Sequence, residues 1–186
     1  MKNKKAKFSF SLAMFITILA GTIGIETSVS LLAAVLVHEC GHIAAIYLSG
    51  MKVIGIQPEL SGLKIIYSET GSRKSELFSA VAGPLAGTVY WVAVRNVGGM
   101  WALSGQLSLV YTMFNLLPVK ELDGGRILAL LAGDMLGEID GKHLAELCSA
   151  LICAAVLFGG TVLFVKGEGG GMFAAGIWLF ILHKGN

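Results

Sequence analysis

Charge is what this sequence has least of. Asp, Glu, Lys and Arg make up 14% of its 186 residues, where a soluble domain carries about a quarter. With 55% hydrophobic residues and a mean hydropathy of +0.76, that scarcity excludes an ordinary soluble globule and implies an integral membrane protein, read as one domain over residues 1–186. The formal net charge is only +2, and no basic run is interleaved with aromatics, so nucleic acid is not an expected partner. Cysteine is scarce too. Cys40, Cys148 and Cys153 are odd in number and lie in or beside apolar stretches, so a disulfide framework is excluded and no redox compartment follows. Aromatics are few, at 9%, and prolines number three. Glycine is abundant: its 25 residues suit helices packed closely within lipid.

Apolar runs divide the chain into six expected spans. Four lysines among residues 1–7 precede the apolar stretch Phe8 to Ile25. A secretory signal peptide begins the same way; an uncleaved first span is preferred, because no small-x-small cleavage site follows and a second span comes at once. The next spans are expected at Ser28 to Ser49, Leu77 to Val97, Trp101 to Leu117, Leu144 to Val165 and Met172 to Leu182. Between the second and third, VIGI and LKIIY flank a Pro58–Gly62 turn and read as a β-hairpin, either an open edge for an extended peptide or a plain connector. Residues Ile127 to His143 are expected as a helix followed by a cytoplasmic loop. In this topology only Arg95 and Lys166 of the 14 basic residues fall outside. That bias puts both termini in the cytoplasm, in a multi-pass cell-membrane protein.

Two histidines and a glutamate interrupt the most apolar part, Leu31 to Leu48. His38 and His42 stand four apart, hence one turn apart on one helix face, where two imidazoles can grip one cation, most often zinc. Glu39 sits beside them as a candidate general base; this is the HExxH pattern of metalloproteases. Ionisable groups inside an apolar span are costly and mark function by default. Catalytic zinc takes three protein ligands and leaves a position for water. The preferred third ligand is Asp123, in a glycine-flanked turn at the cytoplasmic end of a span; Glu121 is the rival. Asn115 is a candidate hydrogen-bond donor to substrate or oxyanion. Pro118 ends its helix and frees backbone groups at membrane depth. The Ala82–Gly87 segment AGPLAG reads as a small-residue packing face.

HECGH on an apolar helix, AGP on the next, then NLLPVKELDGGR (Asn115 to Arg126) resemble the site-2 protease family of intramembrane zinc metalloproteases, most nearly the stage IV sporulation protein FB type. The resemblance covers Leu31 to about Leu131. It implies an all-α fold of six transmembrane helices, one Zn2+ per chain held by His38, His42 and Asp123, and Glu39 as catalytic base. It places Asn115 and Pro118 near the substrate. Implied substrates are membrane-associated or transmembrane proteins: a pro-sigma factor, an anti-sigma factor or a signal-peptide remnant. The lipid bilayer and an inhibitory membrane partner are the other partners compatible with it; the oligomeric state stays open. Cys40 occupies a variable position and is read as packing. No CBS or PDZ module is found in the sequence, which leaves control by ATP open.

Two other functions compete. A catalytically silent membrane binding protein of the same fold has no need of Glu39. A metal transporter is expected to show inverted repeats, and none is visible.

Overall fold

The computed structural model describes residues 23–59, 62–67, 72–168 and 170–184. The first expected span, Phe8 to Ile25, falls almost wholly outside them. The described elements are α1 (Ile25–Leu48), β1 (Val53–Glu59), β2 (Gly62–Tyr67), α2 (Arg73–Val94), α3 (Gly99–Asn115), α4 (Asp123–Leu136), α5 (Glu138–Val165) and α6 (Gly170–Lys184). The strands pair antiparallel, with Gln57 opposite Lys64 and an irregularity between Val53 and Gly55. Among the described residues, α1, α2 and α5 are long and apolar enough to cross a membrane.

The helices are apolar outside and small or polar inside. The buried face of α1 follows an i, i+4 row: Ser30, Ala34, His38, His42, Ile46. On α2 the row is Ser79, Gly83, Gly87. On α3 it is Ser104, Ser108, Thr112, and on α5 Gly141, Ala145, Ser149, Cys153. Large side chains point the other way, among them Leu36, Tyr47, Leu85, Val110, Leu151 and Phe158. Lipid tails are as apolar as leucine, so burial of leucine gives no drive for helices to associate there. Close van der Waals packing of small residues and interhelical hydrogen bonds take its place.

Two groups of helices result. α1, α2 and α3 pack on one another; α5 packs on both α4 and α6; α2 and α4 join the groups. Polar cross-links tie the first group. The hydroxyl of Ser104 donates to the Ser30 carbonyl at 2.9 Å, and that of Ser108 donates to the Gly87 carbonyl at 3.0 Å. At the join, Arg73 opens α2 and reaches α4 and α5. Its Nη2 donates to the Leu130 carbonyl at 3.0 Å, and its Nε lies 2.6 Å from Asp134.

The expected cytoplasmic loop up to His143 is absent. α4 ends at Leu136, Gly137 turns the chain at φ 92°, and α5 starts at Glu138. Glycine takes that left-handed conformation without the Cβ penalty. Glu138 and Asp140 fall in the first turn of α5, where carboxylates suit the positive end of the helix dipole. Charges that look like loop composition are a helix start.

The segment between α3 and α4 is held from two sides. Val119 and Leu122 are buried with Cys153 of α5 and Leu179 of α6, and the backbone N–H of Lys120 donates to the Ser149 hydroxyl at 3.1 Å. The first turn of α4 is pressed onto that segment: a Cβ at Gly124 would strike the Leu116 carbonyl, and one at Gly125 the Val119 carbonyl. These obstacles are backbone and cannot rotate away. Gly125→Ala is therefore expected to destabilise the fold by about 1–3 kcal/mol, the usual cost of overpacking. Thermal unfolding in detergent would show it as a lower midpoint than wild type.

Candidate metal centre

The α1 row carries two imidazoles into the space between three helices. His38 is 1% exposed, and Glu39 and His42 are 8% each. The first residue of α4 meets them from the far side: Asp123 Oδ2 lies 2.9 Å from His38 Nε2 and 3.2 Å from His42 Nε2. The ligand atoms of these three residues all lie within 4.8 Å of one another. Among the described residues, no other group of three such side chains converges in this way.

The donor set fits a zinc-type ion: two imidazole nitrogens and a carboxylate oxygen are ligands it accepts, with one position left over. The orientation of His42 fits as well. Its Nδ1 donates to the Ser79 carbonyl at 2.7 Å, which leaves Nε2 as the lone-pair nitrogen facing Asp123. A fixed partner on the second ring nitrogen is how metal-binding histidines are commonly held.

The α2 row makes room for the rings. A Cβ at Gly83 would overlap the imidazole of His42, and one at Gly87 would strike Thr112 Oγ1. The AGPLAG glycines are thus more than helix-packing residues; one of them forms the wall against which His42 lies. Gly41 does the same in reverse, since its Cβ would meet the Ala82 carbonyl at 2.6 Å.

Glu39 shares the buried face and interacts electrostatically with His42 and Asp123. Cys40 is exposed, on the side of α1 away from the histidines. Glu121 does not join the cluster. Both its oxygens are buried without a hydrogen-bond partner. Asn115 is 7% exposed at the last turn of α3 and donates from Nδ2 to the Tyr111 carbonyl at 3.0 Å. Pro118 is half-buried in the segment leading to Asp123.

Tyr111 is a residue that sequence reasoning missed. Its ring stands edge-on to His38, centroids 4.9 Å apart. The signal was its place on α3 four residues before Asn115, which carries little weight until the helices are docked.

Gly83→Ala is expected to displace the His42 ring and lower bound zinc well below one ion per chain. Elemental analysis of the purified variant beside wild type would measure it; equal metal content would show that the ring accommodates the methyl group.

Residues 70–159 match the model of Peptidase family M50, a stretch that holds Asp123 and begins after His42. A protein of Synechocystis sp. assigned as a zinc metalloprotease is 29% identical over 140 residues. That match takes in 68% of this chain and 37% of the relative, so the chain spans little more than a third of the relative's length. Among solved structures, the Site-2 Protease from Methanocaldococcus jannaschii superposes with a TM-score of 0.72 at 20% identity, over 94% of this chain and 85% of that one. At that identity the likeness concerns the fold. Over residues 70–159 the chain is thus similar to Peptidase family M50, and in fold it is similar to a site-2 protease.

Proposed function

We propose that the chain is a zinc metalloendopeptidase that cleaves transmembrane or membrane-associated proteins within the bilayer. The observation that carries this reading is the meeting of His38 Nε2, His42 Nε2 and Asp123 Oδ2 beside a buried glutamate, between helices whose outer faces are apolar. These three residues would hold one Zn2+. The metal, when bound, supplies Lewis-acid polarisation of the scissile carbonyl and of the attacking water.

The chain's own residues do the rest. Glu39 is the general base: its carboxylate takes a proton from the attacking water and passes one to the leaving amine nitrogen. Ser79 keeps His42 turned so that Nε2 faces the site. Asn115, whose Nδ2 donates to the Tyr111 carbonyl, is the amide offered to substrate. Pro118 shapes the approach by ending α3 ahead of Asp123. A membrane helix hides its amides in hydrogen bonds, so the substrate must be unwound before attack. The β1–β2 edge is the element suited to hold the unwound segment as an added strand.

The topology we assign has six spans with both termini cytoplasmic and a single domain in the cell membrane. The substrate class is a membrane-associated protein such as a pro-sigma factor, an anti-sigma factor or a signal-peptide remnant, as the resemblance to site-2 proteases implies.

Glu39→Gln keeps the size of the side chain and removes the base. It is expected to retain wild-type zinc and lose cleavage of a membrane substrate by at least about 100-fold, in the range general-base catalysis contributes. The check is metal content and in-vesicle cleavage on the same preparations; turnover at the wild-type rate would end the proposal. A proline at Ile54 removes a strand N–H. Ile54→Pro is expected to slow cleavage with zinc content unchanged, and unaltered kinetics would remove the hairpin from the account.

A further inference from the structure

His38 and His42 are not held alike. The Nδ1 of His42 has the Ser79 carbonyl. The Nδ1 of His38 is buried with no hydrogen-bond partner. A neutral imidazole that offers Nε2 to a metal carries its proton on Nδ1, and a buried N–H without an acceptor is costly.

One other buried oxygen nearby is also without a partner: Thr112 Oγ1, on a residue that is 2% exposed. Both atoms border the same notch at Gly87. A Cβ there would strike Thr112 Oγ1 and would stand 3.6 Å from His38 Nδ1 and 3.2 Å from Ser108 Oγ. The Ser108 hydroxyl is engaged, donating to the Gly87 carbonyl. The Thr112 hydroxyl is not. Two unsatisfied polar atoms, one needing an acceptor and one able to accept, thus face a space that only glycine leaves open.

We propose that Thr112 is a positioning residue for the metal centre: its hydroxyl accepts the Nδ1–H of His38 through one water in the Gly87 notch. This fixes the tautomer that presents Nε2 to the ion. Gly87 is the condition for it, since any side chain there would fill the gap. The inference rests on the metal-binding reading above and adds the group that orients the first ligand.

The test compares zinc affinity, by competition with a chelator, in wild type, Thr112→Val and Thr112→Ser purified in detergent. Valine preserves the shape and removes the hydroxyl; serine preserves the hydroxyl and removes a methyl group. The expected result is zinc binding weaker by about 10- to 100-fold in T112V, the range seen when a ligand's hydrogen-bond partner is lost, with T112S close to wild type. The reverse order, with T112S impaired and T112V intact, assigns Thr112 to packing and overturns the proposal. Equal affinity in all three overturns it too. Wild type that binds no zinc defeats the metal-centre reading instead, a separate outcome. Should T112V not yield folded protein, T112S against T112A puts the same question, since those two differ only by the hydroxyl; equal zinc affinity for that pair overturns the proposal.

Discussion

One carboxylate oxygen faces two imidazole nitrogens in a place where lipid surrounds the helices. Asp123 Oδ2 stands at 2.9 and 3.2 Å from His38 and His42. Isolated charge in so apolar a setting is expensive, and it persists where it is paired or meets a cation. The requirement reaches outward. Asp123 must come to α1 from the far end of α3, so the connecting segment must be fixed. Two of its apolar side chains, Val119 and Leu122, are buried against α5 and α6, and Ser149 holds the Lys120 amide. The second helix group is in this sense the anchor for a carboxylate that meets the imidazoles of the first.

Small residues do the complementary work. Between α1 and α2 the i, i+4 rows run antiparallel and meet turn by turn: Ser79 and Gly83 at His42, Gly87 near His38. Bulk at any of these would separate the helices. In water such seams are filled with leucine and valine; here the large apolar groups face outward. Polar hydroxyls and glycines are left to define the interior, and they also line the site. Packing and chemistry therefore draw on the same residues.

How much of this was legible beforehand depended on whether the information was local. His38, Glu39 and His42 could be read because helical spacing alone puts them on one face. Asp123 is preferred over Glu121 from sequence because glycines follow it and a proline ends the preceding helix; the docked chain brings its carboxylate to the two imidazoles. The helix start at Glu138 reads as a loop from sequence because its acidic first turn resembles loop composition, and the Gly137 turn that allows it depends on backbone geometry. Gly83 and Gly87 read from sequence only as a packing face, and Tyr111 and Thr112 carry no signal there. Each acquires its meaning from a neighbour on another helix, and no period along one helix encodes that.

The α1 row carries an implication for how such a chain can vary in length. Each residue advances the helix by about 100°. One residue added between Ala34 and His38 would swing both imidazoles out of the interior and toward acyl chains, while leaving composition and hydrophobicity almost untouched. What α1 must keep is therefore the angular phase of its buried row, a property that neither composition nor hydrophobicity records.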